Sequence, residues 1–192
     1  RDHIADVSHY VKDGSALYKE AFSRGTSSYL ANTVIPMLPH QLSNGICSLN
    51  PDVIRLTISC EMEIDNKGRV VNSDIFESYI KSRKQMTYKN VNKILEENII
   101  PEGYEEFADT LILMEELAQI LKERREKQGS LNLNLPETKV ILDKDGYTID
   151  VKKYETTFAN EIIEQFMLTA NEVVAERFYW IEAPFIYRVH ET

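Results

Sequence analysis

One amphipathic helix constrains this sequence more than any other feature. Between residues 104 and 127 the apolar side chains recur at spacings of four, three, four and three, the period of a helix with one buried face. A second stretch, from about Thr157 to Phe178, has a similar period. We expect both faces to pack in a core rather than to bind a partner or cofactor. The apolar positions are Phe107, Leu111, Met114, Ala118 and Leu121 in the first helix, and Ala159, Ile163, Phe166, Ala170 and Val174 in the second.

Two β-hairpins are predicted beside these helices. Residues 53–64 and 69–80 alternate between apolar and polar side chains around a turn at 65–68. A shorter pair, 139–142 and 147–151, flanks a second turn that contains Gly146. Hairpins mixed with helices, without regular alternation of strand and helix, favour an α+β fold with mainly antiparallel strands over a doubly wound parallel sheet.

Shorter elements are predicted in the rest of the chain. Residues 4–11 are interpreted as a strand, and Ser15 is a suitable N-cap for a helix that ends near residue 24. Residues 26–50 contain prolines and an Asn-Gly pair and are predicted to be irregular. A further helix is expected at 87–97.

Composition excludes several classes of protein. The 192 residues carry a formal charge of −9, which argues against coating nucleic acid by charge alone but permits a local basic groove. The longest uninterrupted apolar run, 111–114, is too short to span a membrane. Two cysteines are too few for a disulfide scaffold and indicate a reducing compartment. We therefore expect a soluble, cytoplasmic protein.

No short motif in the sequence carries catalysis or metal binding by itself. There is no phosphate-binding loop, dinucleotide fingerprint or nucleophile elbow. Cys47 and Cys60 do not form a Cys-x-x-Cys pair and are expected to be small buried apolar groups. The histidines lack the spacing of zinc ligands; they are His3, His9, His40 and His190.

Three side chains could contribute to a binding surface, although simpler interpretations are preferred on the residues alone. Tyr29 and Tyr88 lie near the ends of elements, where a tyrosine can stack on a base or can simply bury its ring and expose its hydroxyl. Glu164 lies on a helical line of polar and small residues that could border a cleft. A solvated helix face is the plainer interpretation of Glu164.

Longer segments resemble a known family. The chain is similar throughout, in the same order, to the catalytic (RNB) domain of the ribonuclease II and ribonuclease R family, and is nearer to the ribonuclease R branch. The segments that carry the resemblance are His3 to Val11, Gly14 to Leu17, Arg24 to Leu30, Val34 to Pro39, Leu42 to Asn50, Ile163 to Leu168 and Tyr187 to Glu191.

The resemblance implies an activity that this segment is not expected to perform alone. Family members degrade RNA processively from the 3′ end to nucleoside 5′-monophosphates, using magnesium held by an aspartate cluster. That cluster precedes the segment matched by His3 to Asp6, and a catalytic arginine follows the region matched by residue 192. We therefore expect residues 1–192 to be the central part of one catalytic domain, truncated at both ends, with no catalytic residue or metal ligand within it.

The resemblance also assigns four residues to RNA binding. Tyr29 matches a tyrosine that stacks on the 3′-terminal nucleotide, and Tyr88 matches a second tyrosine near the RNA path. Glu164 matches a glutamate that contacts the terminal sugar, and a carboxylate that accepts a 2′-hydroxyl proton favours RNA over DNA. Leu133 stands where relatives have a phenylalanine on the other side of the clamped base, so this half of the clamp has no aromatic face. Gln165 replaces a glutamate that is common beside Glu164.

The expected partner is the 3′ end of single-stranded RNA, bound by a monomeric parent protein, with no DNA or membrane involved. Two alternatives remain at this stage. The first is a non-catalytic RNA-binding protein derived from the nuclease, which would share every RNA-binding residue. The second is a protein-interaction domain, which the acidic charge permits but which leaves the long resemblance unexplained.

Overall fold

A three-stranded antiparallel sheet and a group of three helices make up most of the structure, a computed structural model that describes residues 1–130, 137–154 and 156–189. The elements, in chain order, are β1 (Asp2–Ala5), α1 (Val7–Tyr10), α2 (Ala16–Arg24), β2 (Ser28–Tyr29), β3 (Val34–Ile35), a π-helix (Gln41–Ile46), β4 (Ile54–Ile64), β5 (Val70–Lys81), α3 (Tyr88–Glu97), a 3₁₀ turn (Glu105–Phe107), α4 (Ala108–Lys127), β6 (Glu137–Leu142), β7 (Thr148–Tyr154) and α5 (Phe158–Trp180). This mixture of helices and antiparallel strands confirms the predicted α+β class.

The β4–β5 hairpin forms the centre of the sheet, in the order β1-β4-β5. Its turn is held by Asp65, whose carboxylate accepts the backbone N–H groups of Lys67 and Arg69, both at 2.9 Å. These bonds, that of Arg69 above all, lower the pKa of Asp65 to about 2. Gly68 adopts a φ of +74°, and its carbonyl accepts a hydrogen bond from the guanidinium of Arg124 on α4 at 2.8 Å. The predicted hairpin is confirmed, and its turn docks on a helix.

The first core lies among α3, α4 and the start of α5. The predicted apolar face of α4 is confirmed: Leu111, Ala118 and Leu121 are buried, and Phe107 and Met114 are half-buried. The cluster of buried side chains comprises Val91, Ile94, Tyr104, Ala108, Leu111 and Ala159. Two ion pairs, Lys122–Glu161 and Arg125–Glu172, both at 2.6 Å, also join α4 to α5.

The second core joins the end of α5 to the sheet, where Cys60 packs against Ala170 and Val173. Burial of Cys60 confirms one cysteine prediction, but Cys47 is only half-buried. The predicted face of α5 is confirmed at Ala159 and Ala170, which are buried, but wrong at Ile163, which is exposed while its neighbour Ile162 is buried. Adjacent apolar pairs make two arcs of this helix equally apolar, so packing against two different surfaces decides which arc is buried.

Two predictions for the N-terminal quarter need correction. The strand predicted over residues 4–11 ends at Ala5, because the Asp6 carboxylate accepts the N–H of His9 at 3.1 Å and starts a helical turn there. The segment 26–50 is not wholly irregular, since it contains the small β2–β3 hairpin and the π-helix. The helix at 16–24 is confirmed, with Ser15 as its N-cap.

Within the described residues, no helix combines the length and apolar character that a membrane span requires.

Candidate nucleic-acid interface

Tyr29 projects from the β2–β3 hairpin with 78% of its surface exposed. The hairpin closes through a backbone bond from Leu30 N–H to the carbonyl of Thr33 at 2.9 Å. At its base, the N–H of Met37 donates to the hydroxyl of Ser27 at 2.9 Å. The ring of Tyr29 therefore projects from a hydrogen-bonded backbone and remains exposed to solvent. Those are the two conditions for stacking on a base.

The tip of this hairpin lies against the β6–β7 turn. A Cβ atom placed on Gly146, which has a φ of +88°, would lie 3.6 Å from the amide nitrogen of Asn32. The segment just before β6 contains Leu133, the fourth residue assigned to RNA binding, which lies outside the described residues. The position of Leu133 relative to Tyr29 stays a prediction.

Tyr88 is the first residue of α3, and it is 46% exposed. Two interactions fix the start of this helix. The hydroxyl of Thr87 accepts the N–H of Asn90 at 3.3 Å, as an N-cap does. The buried Tyr104 accepts at its own hydroxyl the N–H of Thr87 at 3.3 Å and the side-chain amide of Asn90 at 3.4 Å. Tyr88 therefore emerges from a backbone that is anchored to the helical core.

An open groove of about 320 Å³ runs beside Tyr88, between α3 and the beginning of α5. We call it the α3–α5 groove. Its lining is drawn from both helices and from side chains that carry a polar group: Tyr88, Lys89, Asn92, Lys93, Glu97, Thr157 and Asn160. Its volume is at the lower end of the range for small-molecule sites.

Glu164 lies on α5 and is exposed. It follows Asn160, which lines the α3–α5 groove, by four residues, so the two side chains are neighbours on one helix face. Tyr88 and Asn160 thus line one groove, and Glu164 lies about one helical turn beyond Asn160 on α5. In the part of the chain that the structure describes, no extensive packing joins the hairpin of Tyr29 to α3 or α5.

Two conspicuous aspartates near the N-terminus do not form a metal site. Asp6 is buried and its carboxylate accepts the hydroxyl of Ser8 at 2.6 Å, which lowers its pKa, and also the N–H of His9. Asp2 pairs with Cys60 across the sheet, and burial raises its pKa. Across residues 1–130, 137–154 and 156–189, no three His, Cys, Asp or Glu side chains are grouped so as to hold an ion. The described residues therefore do not fit a magnesium ion.

Sequence reasoning missed most of the α3–α5 groove. It singled out Tyr88 but not Lys89, Asn92 or Lys93, which follow it on the same helix, nor Asn160 on α5. The spacing of the two lysines, four residues apart, places them on one helix face and could have indicated a basic strip. Their proximity to Asn160 depends on how α3 packs on α5, which no local pattern shows.

Comparison with known proteins places this arrangement in a family. Residues 3–192 match the RNB domain. The chain is 55% identical over 190 residues to Ribonuclease R of Thermotoga maritima and 48% identical over 190 residues to Ribonuclease R 1 of Lactococcus lactis, in each case over 98% of this chain. Its fold is similar to that of Mycoplasma genitalium RNase R in complex with ribose-methylated single-stranded RNA, with a TM-score of 0.94, 34% identity and 98% of this chain covered.

The chain belongs to the RNB-domain family, as the resemblance predicted. Within that family, the relatives reported above are ribonucleases R. The chain spans 27% of the length of the Thermotoga relative, 23% of the Lactococcus relative and 30% of the Mycoplasma structure.

Proposed function

We propose that this chain is the RNA-holding part of a 3′→5′ exoribonuclease that hydrolyses single-stranded RNA to nucleoside 5′-monophosphates. The observation that carries the proposal is the 55% identity to a ribonuclease R over 98% of the chain. The TM-score of 0.94 to an RNase R in complex with single-stranded RNA supports it. Because a fold alone does not determine activity, the placement of the side chains must also suit the task.

Three side chains have the exposure and chemistry that RNA binding requires. The exposed ring of Tyr29 is available to stack on the 3′-terminal base, and Tyr88 offers a second ring farther along the surface. The carboxylate of Glu164 is available to accept the proton of a ribose 2′-hydroxyl, which DNA lacks. The proposal also assigns Leu133 to the other side of the clamped base, where it would supply van der Waals contact only.

In this proposal, hydrolysis requires chemical groups other than the RNA-binding side chains just described. In-line attack of water on a phosphodiester requires the charge on the attacking and leaving oxygens to be neutralised, which paired magnesium ions do in many nucleases. The described residues do not fit such ions. The proposal therefore assigns the metal ligands and the catalytic arginine to residues other than these 192. It further assigns the activity to a monomeric, cytoplasmic protein.

End-labelled RNA tests the proposed reaction. The protein encoded by the whole reading frame around this chain would be incubated with magnesium and a single-stranded RNA labelled at either its 3′ or its 5′ end. We expect the 3′ label to appear at once as a mononucleotide, while the 5′ label passes from full-length RNA to a short end product with few intermediates. The isolated 192-residue chain should release neither label.

Two outcomes would count against this function. RNA binding by the whole protein without hydrolysis would favour the non-catalytic RNA-binding alternative. Release of mononucleotides by the isolated chain would contradict the assignment of the catalytic groups to other residues.

A further inference from the structure

The α3–α5 groove carries positive charge on an acidic protein. Lys89 and Lys93 line it, against the single carboxylate of Glu97, while the chain as a whole has a formal charge of −9. Among the described residues, neither lysine forms an ion pair. Exposed charges more than about 10 Å apart are largely screened at 0.1 M salt. A polyanion in the groove would therefore respond to the two lysines more than to the distant acidic residues.

The geometry of the lysines suits a chain of phosphates. Four residues of helix separate Lys89 from Lys93, so their Cα atoms are about 6 Å apart along the axis of α3. Successive phosphates of an extended RNA strand can lie at comparable spacing. The helix presents both ammonium groups on one side of the groove, and the exposed ring of Tyr88 lies at its end.

Two amides in the groove have hydrogen-bonding capacity to spare. The Oδ1 atom of Asn92 is shielded from solvent, and it accepts no hydrogen bond within the part of the chain that the structure describes. On the opposite wall, the Oδ1 atom of Asn160 accepts the N–H of Thr157 at 3.1 Å, which leaves its Nδ2 group to donate. A nucleotide offers a phosphate oxygen to the Nδ2 group of Asn160, and a ribose hydroxyl can donate to Asn92 once its amide turns toward the groove.

We propose that the α3–α5 groove holds a segment of the RNA strand, with Lys89 and Lys93 bound to successive phosphates and Asn92 and Asn160 bound to the sugar-phosphate backbone. This inference rests on the proposed function, and it identifies residues that position the strand leading to Glu164. Lysine–phosphate contacts of this kind provide affinity but no sequence preference. The groove therefore accepts any single-stranded RNA sequence.

The salt dependence of binding tests this assignment. The dissociation constant of the 192-residue chain for a 5′-fluorescein-labelled single-stranded RNA would be measured by anisotropy in EDTA, between about 50 and 200 mM salt. Each phosphate contact on a single strand contributes about 0.7 to the slope of log K against log salt. We expect Lys89→Gln/Lys93→Gln to reduce the slope by about 1.4 and to weaken binding about 25-fold near 0.1 M salt.

Two matched variants control for net charge and for helix structure. Lys67→Gln/Lys127→Gln removes the same charge from the β4–β5 turn and the end of α4, and it should leave the slope within about 0.3 of wild type. Lys89→Arg/Lys93→Arg keeps the charge in the groove and should keep the slope. Circular dichroism would establish that each variant is folded.

Failure of this inference can be told apart from failure of the proposed function. Wild-type binding with an unchanged slope in Lys89→Gln/Lys93→Gln would overturn the groove assignment and leave RNA binding intact. An equal loss of slope in the Lys67→Gln/Lys127→Gln control would also overturn it, because net charge alone would then explain the effect. Absence of RNA binding by the folded wild-type chain would overturn both proposals.

Discussion

Replacement of Tyr29 by alanine should weaken the binding of single-stranded RNA by about 1–3 kcal/mol, or roughly 5- to 150-fold. The ring is exposed and makes no packing contribution to either core, so the substitution removes a stacking surface without opening a cavity. Fluorescence anisotropy with a labelled RNA gives the two dissociation constants. The thermal midpoint of the chain should be nearly unchanged.

Two further variants make this test specific to stacking. Tyr29→Phe retains the aromatic face and should bind RNA within about threefold of wild type. Tyr79 provides a matched control, because it is also a strand tyrosine and is 73% exposed, yet it has no assigned role. If Tyr29→Ala and Tyr79→Ala lower RNA affinity equally, Tyr29 does not clamp a base.

Replacement of Leu111 by alanine should lower the free energy of unfolding by about 2–5 kcal/mol. Leu111 is 5% exposed and packs with Val91, Ile94 and Ala159 where three helices meet. The truncation leaves a cavity that these helices can close only in part. Since small domains are stable by only about 5–15 kcal/mol, this loss is a large fraction of the total. Urea denaturation followed by circular dichroism measures it.

Leu113 supplies the matched control on the same helix. It is 63% exposed, and alanine is at least as good a helix former as leucine, so Leu113→Ala should change the stability by no more than about 0.5 kcal/mol. Similar losses for the two variants would contradict the packing of α4 described here. A large loss for Leu113→Ala alone would mean that the opposite face of α4 is buried.

Local chemistry explains why much of the fold could be predicted. The α4 helix has a stripe of apolar residues at helical spacing and a Gly129 stop after it, and the β4–β5 turn has an aspartate placed to accept the backbone N–H groups at its own corner. In both cases the residues that determine the structure are close in sequence. The N-terminal strand was predicted too long because a single side chain, Asp6, stops it by capping a helical turn.

Tertiary packing explains what local patterns did not reveal. On α5, the pairs Ile162–Ile163 and Val173–Val174 make two helix faces equally apolar, and only contact with both α4 and the sheet selects one. A polar residue, Gln165, is buried on the selected face. A prediction based on the spacing of apolar residues would place such a glutamine on the solvent-exposed face of the helix.

The candidate site also combines features that the sequence predicts with features that depend on tertiary packing. Residue patterns alone preferred simpler interpretations for Tyr29, Tyr88 and Glu164, and only similarity over long segments assigned them to RNA. The structure adds that Tyr29 and Tyr88 are exposed on anchored backbones and that Tyr88 lines a groove with Asn160, four residues before Glu164 on α5. The lysines of the α3–α5 groove lie near Asn160 only because α3 packs on α5.

The relative affinity for RNA and DNA tests the central claim most directly. Dissociation constants of the 192-residue chain would be measured in EDTA for two labelled single strands of equal length, one of RNA and one of DNA. A hydrogen bond from a ribose 2′-hydroxyl to the carboxylate of Glu164 should favour RNA about tenfold, and Glu164→Ala, which removes the acceptor, should abolish most of that preference. Equal affinity of the wild-type chain for both strands, or binding to neither, would contradict the assignment of this surface to RNA.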